Sequence, residues 1–95
     1  MISFILPIYK QEHILEQGIV WLENFLKGRG RDEYEIVLCN DGSPDGSLAI
    51  AEALAERFDC VVAVGYSRNR GRGYAVKYAA TKARGELIIY VDNDL

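Results

Sequence analysis

Two hydrophobic periods alternate along this chain. Ile2 to Ile8 is a near-continuous apolar run of strand length, the pattern of a strand buried on both faces. From His13 to Leu26 the period becomes helical, with Leu15, Ile19, Leu22 and Leu26 spaced by four, three and four residues. Gly28 and Gly30 are expected to stop that helix. Glu35 to Cys39 reads as a second strand. Asp41-Gly42-Ser43-Pro44-Asp45-Gly46 follows as dense turn chemistry, in which Asp45 or Ser47 is placed to cap the next helix. That helix puts Ile50, Leu54 and Phe58 on one face. Val61 to Val64 is a third strand, β-branched and apolar. After an Arg/Gly loop, Ala75, Val76, Ala79, Ala80 and Ala83 mark a third helix, with Lys82 and Arg84 in its last turn and Gly85 as the expected C-cap. Leu87 to Val91 is the fourth strand.

The order β-α-β-α-β-α-β, without repeat or linker, predicts one α/β unit over residues 1–95: a Rossmann-like parallel sheet with helices on both faces and right-handed crossovers. If the fourth strand returns beside the first, the strand order is 3-2-1-4. The ligand crevice then opens at the carboxyl ends of strands one and four.

Charge and composition narrow the function classes. A net charge of −3 leaves no basic surplus for neutralising nucleic-acid phosphates. The bunched arginines, Arg29 with Arg31 and Arg68 with Arg70 and Arg72, read first as solvated loop surface. Cys39 and Cys60 border apolar runs and read as reduced thiols rather than a disulfide framework. There is no CxxC and no Cys/His cluster, so no zinc site is expected, and His13, the single histidine, reads as a surface residue at a helix start. The apolar start lacks a basic leader and a cleavage site, and no apolar stretch approaches the roughly 20 residues of a membrane helix. The expectation is a cytoplasmic piece whose parent enzyme can associate with a membrane on its cytoplasmic face.

Polar and acidic residues collect after the strands: Pro7, Tyr9 and Gln11 after the first, Asn40 and Asp41 after the second, Asp92-Asn93-Asp94 after the fourth. In an extended segment Asp92 and Asp94 project the same way, so both carboxylates can face one hard cation such as Mg²⁺ or Mn²⁺. A solvated acidic turn is the plain alternative, and the position at the end of an apolar strand beside the crevice favours the cation. Asp41 is open to two readings: acceptor for a nucleobase or ribose, or the acceptor of its own Asx-turn. Tyr9 can stack on a base or serve as a half-buried aromatic. Gly71-Arg72-Gly73 precedes a helix and can meet a diphosphate, yet it lacks the dinucleotide fingerprint, and a flexible surface turn is the favoured reading.

Taken together, Ser3 to Tyr9, Glu35 to Ser47, Asn69 to Ala75 and Gly85 to Leu95 resemble a family 2 glycosyltransferase over essentially the whole chain, closest to the polyprenol-phosphate branch with its dolichyl-phosphate mannose and glucose synthases. The resemblance implies the N-terminal half of a GT-A fold and inverting transfer from a UDP- or GDP-linked sugar, with a polyprenol phosphate as acceptor. It implies that Pro7, Tyr9 and Asp41 contact the nucleoside, and that Asp92 and Asp94 bind the cation bridging the donor diphosphate. Asn40 stands where the family has a first aspartate, and Lys10-Gln11 where it has Asn-Glu, so Gln11 offers an uncharged hydrogen-bonding group. The chain stops at Leu95, so the catalytic base and acceptor site are expected downstream. The fourth strand should then show an unpaired apolar edge, and the piece should be inactive alone and prone to self-association. Two rivals fit less well. A sugar nucleotidyltransferase would need a Gly-rich, Arg-containing loop after the first strand, and a receiver-like binding module would need an acidic phosphoacceptor there.

Overall fold

Strand β1 (Ile2–Ile8) lies inside a four-stranded parallel sheet. On one side it pairs with β2 (Tyr34–Asp41), which pairs in turn with β3 (Val61–Tyr66); on the other it pairs with β4 (Leu87–Tyr90). The order is β3-β2-β1-β4, as the alternation of periods implies. Helices α1 (Leu15–Gly28), α2 (Ser47–Arg57) and α3 (Arg72–Lys82) form the crossovers. The computed structural model describes residues 1–28 and 33–92.

The pleat sorts the core into two layers. Leu6, Ile8, Ile36 and Leu38 are buried with Leu15, Ile19, Leu22 and Leu26 of α1 and Ala51 and Leu54 of α2. Ile5, Val37 and Cys39 point the other way and pack with Ala75 and Ala79 of α3. Each fully buried leucine or isoleucine contributes about 1.5–3 kcal/mol. Two alanines contribute far less, so α3 needs other anchors.

One anchor lies at the amino end of β2. Glu35, 1% exposed, accepts hydrogen bonds from Ser3 Oγ (2.6 Å), from the Arg84 backbone N–H (2.6 Å) and from Arg84 Nε (3.3 Å). Burial raises the Glu35 pKa, but these donors outweigh it and hold the carboxyl below its usual range. Gly85 N–H in turn donates to Ser3 Oγ (2.8 Å). A Cβ on Gly85 would stand 2.6 Å from Met1 O and from Ser3 Oγ. The expected C-cap role of Gly85 is therefore corrected. Ala83 closes α3 in extended conformation, its N–H directed to Ala79 O and Ala80 O, and Gly85 is needed for close backbone approach to β1.

Other boundaries also differ from the periodicity. Helix α1 begins at Leu15, because Ile14 and Leu15 N–H both turn back to Gln11 O. Strand β2 continues through Asn40 and Asp41, and β3 through Tyr66. Gly46 is the N-cap of α2 with no side-chain cap of its own; Asp45, one residue earlier, accepts from Ser47 N–H (3.0 Å). Cys39 is buried and Cys60 partly buried, and both are free thiols. Among the described residues no helix is long and apolar enough to cross a membrane.

Strand β4 differs from its neighbours. Leu87, Ile88, Ile89 and Tyr90 are all exposed, at 55%, 43%, 36% and 44%. Among the described residues β4 pairs only with β1, so the expected open apolar edge is present.

Candidate functional site

The carboxyl ends of the strands define one rim. After β1 the chain turns sharply at Lys10, which takes a left-handed conformation (φ 54°). The turn aims three successive N–H groups at the loop after β2: Lys10 to Ser43 Oγ (2.9 Å), Gln11 to Ser47 Oγ (2.9 Å) and Glu12 to Asp45 Oδ2 (3.4 Å). Gly46 N–H returns to Glu12 Oε2 (3.3 Å), and Ser43 Oγ donates to Asp45. Burial alone would raise the Asp45 pKa; the hydrogen bonds from Ser43, Ser47 and the Glu12 N–H hold it well below the usual carboxylate range. The two loops are thereby locked together, which fixes the roots of Tyr9 and Gln11.

Asp41, the last residue of β2, organises the opposite wall. Only 4% exposed, its carboxylate accepts from Tyr66 Oη (2.8 Å), Asn69 Nδ2 (3.0 Å), Arg70 N–H (2.9 Å) and Gly71 N–H (3.1 Å). Asn69 Nδ2 also donates to the Asp41 carbonyl (3.0 Å). Asp41 has thus drawn the β3–α3 loop onto the end of β2. Gly42 completes the fit: it turns left-handed (φ 60°), and a Cβ there would collide with the backbone of Arg68 and Asn69. The Tyr66 ring is met edge-on by Tyr74 and Tyr78 at 5.3 and 5.2 Å. Burial, then the Asp41 carboxylate, pushes the Tyr66 phenol well above its ordinary value. Burial and the Asp41 charge push the Cys39 thiol up to about 11, which keeps it protonated.

Between the two walls lies a cavity of about 330 Å³, lined by Pro7, Ile8, Tyr9, Gln11, Asp41, Asn69, Gly71 and Arg72. Tyr9, 40% exposed, presents a ring to it, with Lys10 Nζ 5.4 Å from the ring centroid. At the lip, Val91 N–H donates to Ile5 O (2.9 Å) and holds the end of β4 beside β1. Asp92 follows, its Oδ2 3.6 Å from Arg72 Nη1. A second opening of about 340 Å³ lies among Glu23, Tyr34, Arg57 and Cys60, at the opposite end of the sheet. The position of ligand crevices in open α/β sheets favours the first.

Pro7, Tyr9, Gln11 and Asp41 are therefore brought together, with Asp92 at the edge; Asp94 lies outside the described residues. Asn40 is not brought to the cavity with them. Asn40 and Asp41 alternate across the strand, and Asn40 falls on the α1/α2 side. It is 3% exposed, its Oδ1 has no hydrogen-bond partner, and it does not line the cavity. The Asx-turn reading of Asp41 also gives way, because its side chain bonds residues 25 to 30 positions away. The same bonds occupy the Arg70 and Gly71 N–H groups, while Arg72, the first residue of α3, lines the cavity with Asn69 and Gly71. Sequence reasoning missed Tyr66, Asn69 and the Ser43–Asp45–Ser47 lattice as wall-builders. The stretch Asn69-Arg70-Gly71 had stood out as a motif, but nothing local tied it to Asp41.

Comparison with known proteins is consistent across sequence and structure. The profile described as Glycosyl transferase family 2 matches residues 3–95. An undecaprenyl-phosphate 4-deoxy-4-formamido-L-arabinose transferase of Pseudomonas paraeruginosa is 38% identical over 96 residues, covering 100% of this chain and 28% of that protein. A dolichyl-phosphate beta-glucosyltransferase of Trichomonas vaginalis is 34% identical, covering 98% and 30%. Among solved structures, a mannosyltransferase of Pyrobaculum calidifontis in complex with GDP-Man and Mn²⁺ superposes with a TM-score of 0.81 at 26% identity, over 98% of this chain and 27% of that one. S. aureus TarS 1–349 in complex with UDP-GlcNAc gives 0.80 at 28% identity, over 98% and 26%. The chain thus spans under a third of the length of these proteins.

Proposed function

The chain belongs to glycosyl transferase family 2, and from that premise we propose that it forms the donor-binding part of a metal-dependent, inverting glycosyltransferase that uses a UDP- or GDP-linked sugar and a polyprenol-phosphate acceptor. The observation that carries the reading is the single rim on which Pro7, Tyr9, Gln11, Asp41 and Arg72 share one cavity with Asp92 at its lip. Its volume, about 330 Å³, suits part of a nucleotide. Relatives named for undecaprenyl- and dolichyl-phosphate transfer support the acceptor class, and the neighbours bound to GDP-Man and UDP-GlcNAc support the donor class.

In this reading Tyr9 offers a ring face for stacking on the base. Gln11 offers hydrogen bonds to the nucleoside, and Arg72 supplies positive charge to the diphosphate. Asp41 holds the wall in place, and base contact by its carboxylate requires one of its present donors to yield. Among the described residues no three His, Cys, Asp or Glu side chains gather into a metal cage. An open Mg²⁺ or Mn²⁺ site needs no cage, since one or two carboxylates with water and substrate phosphates complete the shell. Asp92, a hard oxygen donor at the lip already facing a guanidinium cation, fits such a site, and Asp94 is its proposed companion. The cation, when bound, neutralises charge growing on the departing nucleoside diphosphate. The acceptor site and catalytic base are assigned to the remainder of a longer enzyme, so these 95 residues alone should not turn over a nucleotide sugar.

Titration with UDP and GDP, with and without Mn²⁺, tests the reading. Expected is nucleotide binding strengthened by Mn²⁺ and losing that enhancement in Asp92→Ala and Asp94→Ala. Unchanged binding in both variants would remove the metal assignment.

A further inference from the structure

Arg72 opens α3 and, among the described residues, is the only positively charged one lining the cavity proposed for the nucleotide. Its Nη1 also lies 3.6 Å from Asp92 Oδ2, and both side chains are solvent-accessible, at 67% and 46%. The backbone beneath it is fixed, since Arg70 and Gly71 N–H groups are held by the buried Asp41 carboxylate. A long, flexible cationic side chain therefore swings from a rigid root, with a carboxylate within reach on one side and the cavity on the other.

On the nucleotide-sugar reading above, we infer that Arg72 is an exchange residue that couples donor binding to cation binding. Without donor, its guanidinium neutralises Asp92 and repels a divalent ion approaching the same carboxylate. A diphosphate in the cavity offers two charged, fork-matched acceptors, which an arginine prefers to one loosely held, solvated carboxylate. The guanidinium then moves to the phosphates and Asp92 is uncovered. The two ligands bind with positive coupling, and the coupling is reciprocal: nucleotide tightens the ion by the same factor that the ion tightens nucleotide. Because the resting ion pair is exposed and loose, its removal should change ion affinity by about two- to fivefold.

The test measures Mn²⁺ affinity, from the electron paramagnetic resonance signal of the free ion, for wild type, Arg72→Gln and Arg72→Lys, alone and with saturating UDP or GDP. Arg72→Gln should bind Mn²⁺ alone about two- to fivefold more tightly than wild type, while nucleotide enhances its Mn²⁺ affinity less. Arg72→Lys, which keeps the charge, should stay near the wild-type pattern. Nucleotide-enhanced Mn²⁺ binding in wild type, with equal or weaker Mn²⁺-alone binding in Arg72→Gln, would overturn the exchange and leave the donor site standing. Absence of Mn²⁺ binding in wild type, with or without nucleotide, would overturn both. The Arg72 side chain is 67% exposed, so circular dichroism of the variants should match wild type.

Discussion

The two ends of β2 each carry a buried carboxylate that grips one end of α3, and the resemblance stops there. At the amino end Glu35 holds the chain leaving α3, through Arg84 N–H and a shared serine, Ser3. At the carboxyl end Asp41 holds the chain entering α3, through Arg70, Gly71, Asn69 and Tyr66. Both acids sit at odd positions of one strand and so face the same helix. The helix needs both, because Ala75 and Ala79 are its only buried residues and supply little apolar area. Around Glu35 the donors are inward and the packing leaves Gly85 no room for a Cβ. Around Asp41 the same anchoring leaves a cavity beside it, and the residues it positions form a wall that a ligand can touch. One clasp only closes the fold; the other closes the fold and shapes a mouth.

Truncating either acid should break this comparison in a readable way. Asp41→Ala and Glu35→Ala each leave buried donors without an acceptor, and each should cost about 3 kcal/mol in urea unfolding. Their consequences for nucleotide should diverge. Asp41→Ala should weaken UDP and GDP binding by more than tenfold, whereas Glu35→Ala, measured where it is still folded, should leave that affinity within about twofold. Equal losses of binding in both would mean that the rim has no independence from the rest of the α3 docking.

A weaker effect follows from protonation. Glu35 has its pKa lowered in the folded chain, so its contribution is present above the unfolded value of about 4.3 and is lost as pH falls through the folded value. Glu35→Gln should be less stable than wild type at neutral pH, and the gap should shrink below about pH 4. Asp45, also lowered, keeps part of the acid limb in the variant. A gap that stays constant from pH 7 to pH 3 would show that Glu35 acts by shape and hydrogen bonding alone, without its charge.

Most of this architecture was legible in the sequence, and the parts that were not share a cause. Parallel strands covered on both faces announce themselves as unbroken apolar runs, which is why Ile2–Ile8 and the order β3-β2-β1-β4 could be read. Gly85 was misread because a glycine after a helix with terminal lysine and arginine has the local signature of a C-cap. Its real constraint is the carbonyl of Met1, 84 residues earlier. Asp41 allowed two local readings, and neither anticipated donors 25 to 30 residues ahead. Ending β2 at Cys39 hid a further consequence: once the strand runs to Asp41, Asn40 and Asp41 must face opposite sides, and only one can reach the cavity. Of the two acids read after β4 as a cation pair, Asp92 is the one whose surroundings are described, beside Arg72.

The smallest expected effect concerns Arg72, the first residue of α3, and Arg84, just beyond its end. Arg84 Nε lies 3.3 Å from Glu35 Oε1, but its side chain is 71% exposed, while its backbone N–H sits 2.6 Å from Oε2. The guanidinium loses little by turning to water, and the backbone N–H survives any substitution except proline. Arg84→Ala should therefore cost about 0.5 kcal/mol or less in urea unfolding, in the range of exposed ion pairs. Arg72→Gln should likewise leave stability nearly unchanged while altering Mn²⁺ affinity. A loss above about 1.5 kcal/mol in Arg84→Ala would shift the grip on Glu35 from backbone to side chain. The two ends would then differ more than they do here: one held by main-chain amides at Asp41, the other by a charge that a single substitution removes.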